Sequence, residues 1–187
     1  MRPAPLILTL ALLSAPASAT ADEAIWGLLK SGGQVVIMRH AATVPNVSDS
    51  LGPGGCSTQR NLSEAGREDA RRIGDAFRAR GIVVEDVRAS VWCRCMDTGR
   101  LAFGSATNWP GLDSFFRDRS REAAQTQEVR GLVSRHQGGT LVLITHQVNI
   151  TALTDLFPTE GEMLVLSPRG DGFTVAGRLK PSDVSAN

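Results

Sequence analysis

Two apolar runs set the strongest constraint on what this chain can become. Gln34-Val35-Val36-Ile37-Met38 follows Gly32-Gly33 and ends at Arg39-His40, and Thr140-Leu141-Val142-Leu143-Ile144-Thr145 follows Gly138-Gly139 and ends at His146. Each reads as a short buried strand. Helical patterns lie between them. Ser63 opens a helix that runs to about Arg80 and stops at Gly81. Leu62, Gly66, Ala70, Ile73 and Phe77 fall on one of its faces and most of the charges lie off it. Ile82 to Ala89 predicts a further strand. Helices are expected from near Cys93 to Phe103, from Arg121 to about His136, and from after His146 to Phe157-Pro158. Glu162 to Leu166 and Phe173 to Leu179 predict a hairpin around Arg169-Gly170-Asp171-Gly172. Residues 41–61 and 104–119 read as loops, the first long enough to suggest function. This strand–helix alternation means an α/β layered domain.

The first residues, MRPAPLILTLALLSAPASA, have the form of a secretory leader. Arg2 is the positive end, Leu6 to Leu13 the apolar core, and Ala17-Ser18-Ala19 a small-x-small cleavage site. The apolar run is far shorter than the roughly 20 residues that span a bilayer. Residues 1–19 are therefore expected to be a signal peptide, and residues 20–187 a single domain exported to a periplasm or beyond, with no membrane span. Removing the leader takes away Arg2 and no acid, so 19 basic residues face 19 acidic ones. That balance gives no support to a nucleic-acid groove. Lys30 and Lys180 are the only lysines among 20 basic residues, and arginine's planar fork suits oxyanions.

In open α/β sheets the ligand site lies beyond the carboxyl ends of the strands. His40 and His146 each stand there, so they can meet over one pocket although 106 positions separate them. His136, in a helix's last turn, is expected to be structural. Four sequence blocks surround these residues. Thr43 and Asn46 lie three and six positions after His40. Leu62-Ser63-Glu64-Ala65-Gly66 opens the first helix. Ser90, Arg94, Cys95 and Thr98 form a Ser-x-x-x-Arg-Cys-x-x-Thr spacing, and Thr145-His146 closes the third strand. In these blocks, over about residues 33–166, the chain resembles the histidine phosphatase superfamily, also called phosphoglycerate-mutase-like.

The resemblance implies a three-layer αβα sandwich with a mostly parallel central sheet, and a phosphohistidine mechanism. Phosphoryl transfer spreads charge over three oxygens, so catalysis is positioning plus positive charge. Arg39 and Arg94 would grip the phosphoryl oxygens, His146 would be protonated in the complex, and neutral His40 would attack phosphorus. Thr43 and Asn46 would join the phosphate-binding set. Backbone amides at the helix start near Arg94 would help. No metal and no other cofactor is expected.

The chain also departs from the family. Ala41 replaces the usual glycine and Ala42 the glutamate of mutases, and Gln147 replaces the aspartate of the acid phosphatase branch. The general acid is thus left open. Asp113 is the candidate, and Asp97 is expected to pair within its own helix. Arg60 is a candidate further anion contact. The expected activity is that of an exported phosphomonoesterase. Its expected substrate is a small envelope sugar phosphate, as in the lipopolysaccharide core heptose phosphatases that the compact exported type resembles. The alternatives are a protein-phosphohistidine phosphatase and a non-catalytic phosphate binder on the same fold.

Cys56, Cys93 and Cys95 allow one disulfide and one free thiol in an oxidising compartment. Cys93-x-Cys95 is not a redox or zinc spacing. Cys93 and Cys95 are poorly placed to bond each other. The family carries alanine or cysteine at the position of Cys95, which implies a small buried thiol there. That leaves Cys56–Cys93 as the expected disulfide, with Cys56–Cys95 or three reduced thiols as the alternatives.

Overall fold

A computed structural model describes residues 17–49 and 54–184, with the side chains of 17–21 left aside. Most of the expected leader, residues 1–16, lies outside the described residues. Six strands form one sheet in the order β3-β2-β4-β1-β5-β6: β1 (Val35–Arg39), β2 (Val84–Ala89), β3 (Thr107–Asn108), β4 (Thr140–Thr145), β5 (Met163–Arg169) and β6 (Gly172–Leu179). The strands β3, β2, β4 and β1 run parallel. The β5–β6 hairpin adds two antiparallel strands at one side.

The two apolar runs occupy the centre because both of their faces are covered. Every residue of β4 is buried, as are the first four of β1. Val36, Met38, Val142 and Ile144 point to one face. There they meet three helices, α1 (Ala17–Lys30), α2 (Glu64–Ala79) and α3 (Cys93–Phe103), through residues such as Leu29, Ile73 and Phe77. Val35, Ile37, Leu141 and Leu143 point to the other face, against Val129 and Val133 of α4 (Glu122–Ser134) and Ile150 and Leu153 of α5 (Gln147–Thr154). This is the three-layer arrangement expected of the family.

Four features differ from the expectations. Helix α1 was not anticipated, because its first residues overlap the leader pattern. The expected cleavage point after Ala19 falls in its first turn, and the core residues it supplies, Ile25, Trp26 and Leu29, all come later. Trp26 meets the edge of Phe77, and Phe77 the edge of Phe103, at centroid distances of 5.4 and 5.3 Å. Such pairs contribute about 0.5–1.5 kcal/mol each beyond their area. The segment 104–119 is not loop throughout: it carries β3 and a 3₁₀ turn at Pro110–Leu112. Helix α5 ends at Thr154, earlier than expected, because Asp155 takes a left-handed φ of 60°. Finally, the 41–61 segment is fastened by a bridge from Thr43 to Leu62 and a 3₁₀ turn at Cys56–Thr58.

The start of α2 explains the Leu-Ser-x-x-Gly block. Ser63 caps the helix by accepting from the Gly66 amide at 3.1 Å. Its own amide donates to the Ala42 carbonyl at 3.0 Å. A Cβ on residue 66 would lie 2.0 Å from that same carbonyl oxygen, so only glycine allows this approach. The segment after His40 is thereby clamped to α2.

Candidate active site

The parallel register builds the site. Arg39 pairs with Thr145 and Ala89 pairs with Ile144, so His40, His146 and Ser90 leave three adjacent strands at one level. The rings of His40 and His146 lie 5.5 Å apart, edge to face. They sit in a cleft of about 540 Å³. Arg39, Arg60, Arg94 and Asp113 also line it.

Each spacing in the Ser-x-x-x-Arg-Cys-x-x-Thr block has a structural reason. Ser90 Oγ lies 3.0 Å from His146 Nε2 and donates to Asp113 Oδ1 at 2.9 Å. One helical turn later, Arg94 Nη2 reaches His146 Nδ1 at 3.4 Å. One turn later again, Thr98 Oγ1 accepts from the Ala41 amide at 3.1 Å and so ties α3 to the residue after His40. An arginine can only donate, so His146 Nδ1 is the acceptor and Nε2–H donates to Ser90. A one-way chain from Arg94 through His146 and Ser90 to Asp113 follows.

Both histidines are neutral. Burial pushes His40 down to about 3, and the nearby Arg94, Arg39 and Arg60 push the same way. Its Nδ1–H donates to the Ala41 carbonyl at 3.0 Å, which leaves the Nε2 lone pair for attack. His146 is held well below its ordinary value by burial, then by His40 and Arg94. The expected protonation of His146 in a complex therefore requires an anion strong enough to reverse that.

The expected site residues divide into two groups. Arg39, His40, Arg60, Arg94, Asp113 and His146 are brought together. Arg94 Nη1 donates to Asp49 Oδ1 at 2.9 Å, and Arg39 Nη1 to the Pro158 carbonyl at 3.0 Å. The Nε of Arg39, Arg60 and Arg94 are buried and have no partner among the described residues. Donors thus outnumber acceptors here, as an anion site requires. Thr43 and Asn46 stand apart. Thr43 Oγ1 donates to Glu160 Oε1 at 2.7 Å, and Asn46 sits exposed in a turn at φ 60°. Neither lines the cleft. The amide at the start of α3 is also taken, since Cys93 N donates to Gln59 Oε1 at 2.9 Å.

Outside this cluster, His136 Nε2 bonds the Gly139 carbonyl at 2.7 Å, and Asp97 lies 3.6 Å from Arg100 in its own helix. Among the described residues, no three His, Cys, Asp or Glu side chains gather as a metal-binding group.

Several supporting residues escaped sequence reasoning. Gln125 Nε2 donates to the carbonyls of Pro110 and Asp113, at 3.0 Å each. Asn149 Nδ2 donates to the Asp113 carbonyl at 2.9 Å, and Thr145, already singled out in the Thr-His block, donates through Oγ1 to that of Leu112 at 2.6 Å. Together they fasten the Asp113 loop. Asp49, which holds Arg94, is one acid in a loop and carries no sequence signal at all.

Cys56 and Cys93 are disulfide-bonded with Cα atoms 5.7 Å apart, and Cys95 is free and buried. Burial pushes the Cys95 thiol up to about 12, so it is no nucleophile. Replacing both Cys56 and Cys93 by serine should cost about 2–4 kcal/mol by freeing the unfolded chain. Urea unfolding of the oxidised protein against the double variant measures this; equal midpoints would contradict it.

No family model and no curated protein matches the chain. Solved structures do. The protein histidine phosphatase SixA, complexed with tungstate, matches with a TM-score of 0.61 at 18% identity, over 81% of this chain and 99% of that one. Phosphoserine phosphatase from Entamoeba histolytica, in complex with phosphoserine, matches with a TM-score of 0.58 at 11% identity, over 81% of this chain and 99% of that one. TTHB049 from Thermus thermophilus matches with a TM-score of 0.53 at 20% identity, over 79% of this chain and 99% of that one. The αβα sandwich with two histidines at adjacent strand ends thus shares its fold with these solved structures, a protein histidine phosphatase and a phosphoserine phosphatase among them.

Proposed function

We propose that this chain is an exported phosphomonoesterase that works through a phosphohistidine on His40 and acts on a small sugar phosphate of the cell envelope. The observation that carries the reading is the neutral His40 ring, with Nδ1–H committed to Ala41 and Nε2 open, beside Arg94 and His146. Arg39 and Arg94 hold the phosphoryl oxygens, and His146 joins them as a donor once the substrate dianion offsets its burial. His40 Nε2 bonds to phosphorus as the bond from phosphorus to the leaving oxygen breaks. Asp113, anchored through Oδ1 by Ser90 and by the Val91 amide at 2.8 Å, gives that oxygen a proton. It takes a proton back from the water that splits the phosphohistidine. Export is supported by the leader-like first residues and by the Cys56–Cys93 bond, which suits an oxidising compartment.

The test is turnover of an aryl phosphate together with trapping of acid-labile phosphate on the protein. Label on any residue but His40 would overturn the mechanism. Turnover should survive a chelator and be blocked by vanadate, because arginines supply the charge a metal would bring. Restoration by a divalent ion after chelation would refute metal independence. A screen of phosphorylated metabolites, with a phosphohistidine peptide included, tests the sugar phosphate.

Asp113→Asn separates proton transfer from anchoring. It should lower kcat about 10²–10⁴-fold on an alkyl phosphate, whose leaving oxygen needs a proton. On an aryl phosphate with an acidic leaving group, the loss should be small. Equal losses on both substrates would reduce Asp113 to a positioning residue acting through Ser90 and His146.

A further inference from the structure

The reaction leaves two carboxylates unused, those of Glu160 and Glu162, and both belong to the turn between α5 and β5. This turn crosses the end of β1. Arg39 Nη1 donates to the Pro158 carbonyl at 3.0 Å. The Arg39 amide donates to the Glu162 carbonyl at 3.1 Å, and the Gly161 amide to the His40 carbonyl at 2.9 Å. One short segment thus holds the Arg39 guanidinium and the backbone on both sides of it. The turn is itself pinned. The fully buried Glu162 carboxylate accepts from the Thr159 amide at 2.8 Å, from the Thr159 hydroxyl at 3.0 Å and from Arg178 Nε at 2.6 Å. A buried carboxylate with that many donors keeps its neighbours in one arrangement.

Glu160 projects from this pinned turn and stands behind Arg39, outside the cleft lining. Its Oε1 lies 3.8 Å from Arg39 Nη2. Thr43 sets the plane of that carboxylate by donating to both of its oxygens, through Oγ1 to Oε1 at 2.7 Å and through its amide to Oε2 at 3.3 Å. Thr43 is in turn fixed by its bridge to Leu62. Arg39 has need of such a partner. Burial lowers its pKa, Glu160 raises it, and Arg60 and Arg94 lower it again. Its Nε has no partner among the described residues. A fork held by the Pro158 carbonyl alone could swing about that one bond. The ion pair with Glu160 removes this freedom.

We propose that Glu160, oriented by Thr43, is a positioning residue that aims the Arg39 guanidinium at the phosphoryl group. This rests on the phosphatase reading, in which Arg39 grips that group. It also gives Thr43 a part in the reaction without contact with phosphate, because its hydroxyl acts through Glu160. The sign of the effect separates positioning from charge. A carboxylate beside an anion site opposes anion binding, so by charge alone Glu160→Gln would strengthen it. Positioning requires the reverse. Glutamine offers one acceptor oxygen to Thr43's two donors and no charge to Arg39.

The test reads aryl phosphate hydrolysis together with vanadate affinity by calorimetry. Glu160→Gln should lower kcat about tenfold and weaken vanadate binding in the same direction. Thr43→Val should lower kcat about threefold, and Thr43→Ser, which keeps the hydroxyl, should restore it. In an Arg39→Ala background, adding Glu160→Gln should change kcat, or vanadate affinity where turnover is too slow, by less than about twofold. Unchanged or higher kcat with unchanged or tighter vanadate binding in Glu160→Gln overturns the proposal. So does a full further loss in the Arg39→Ala background, which would make Glu160 a purely structural residue. Circular dichroism checks each variant. If Glu160→Gln does not fold, the Thr43 variants decide, and a Thr43→Val protein as active as wild type overturns the proposal. If wild type hydrolyses no phosphomonoester, the phosphatase reading fails. Glu160 is then judged by vanadate alone, where weaker binding to Glu160→Gln than to wild type supports its role and any other result, absence of binding included, overturns it.

Discussion

His40→Ala should abolish turnover, by at least about 10⁴-fold, while the protein stays folded at neutral pH. The loss follows from chemistry rather than from packing. The imidazole is the group that bonds to phosphorus, and no other neutral nitrogen occupies its place. The neighbouring His146 has Nε2 facing Ser90 and Nδ1 facing Arg94 Nη2, so it cannot take over the attack. The structural cost is modest. His40 is 2% exposed, but its side chain makes one hydrogen bond, to the Ala41 carbonyl, and lies outside the two main apolar clusters. Losing that bond and the contacts of the ring should cost about 1–2 kcal/mol at pH 7. Circular dichroism and urea unfolding report the fold, and aryl phosphate hydrolysis reports activity. A variant that keeps a tenth of wild-type turnover would refute the role; one that is unfolded at pH 7 would show that His40 is structural.

The residues that were legible in the sequence are those whose neighbours in space are also neighbours in pattern. β1 and β4 announce themselves because both faces are buried and every position up to Arg39 in β1, and throughout β4, is apolar or threonine. The block from Ser90 to Thr98 was readable because one helix turn separates the groups that touch His146 and Ala41. What stayed hidden depends on long-range polar contacts with no local signature. Asp49 reaches Arg94 from 45 positions away, and Glu160 takes Thr43 from 117 positions away. That second contact holds Thr43 on Glu160, whose Oε1 lies 3.8 Å from Arg39 Nη2, so Thr43 stands one carboxylate away from the cleft rather than on its lining. Asn46 misled for a different reason. It is an exposed turn residue at positive φ, a conformation asparagine tolerates for backbone reasons alone. Helix α1 was masked by the leader pattern that overlaps its start, although Trp26 and Leu29 are among the best buried residues of the domain.

Acid should destabilise this protein well above the pH at which carboxylates protonate. His40 and His146 are both depressed, His40 to about 3. In the unfolded chain each returns to its ordinary value near 6.5. Below that pH the unfolded state therefore binds protons that the folded state refuses, and stability falls as pH falls. For His40 the window runs from about 6.5 down to about 3, with a limiting slope of about 1.4 kcal/mol per pH unit. His146, also held below its ordinary value, acts in the same direction. Between about pH 6.5 and 4.5 His40 alone should remove roughly 2–2.5 kcal/mol, a large share of an ordinary domain's roughly 5–15 kcal/mol, and His146 adds to the loss in the same direction. Carboxylates add to the loss only at lower pH. Burial alone would raise Glu162, but Arg178 and Thr159 hold it below its ordinary value of 4.5, so its contribution is present above that value and lost below it. Urea midpoints from about pH 7 to 4.5 should thus fall steeply in wild type and clearly less steeply in His40→Ala. The inactive variant should become the more stable of the two near pH 4.5, because keeping a buried neutral nucleophile costs the active protein its acid tolerance. Parallel pH profiles for the two proteins would show that His40 is not held neutral by the fold.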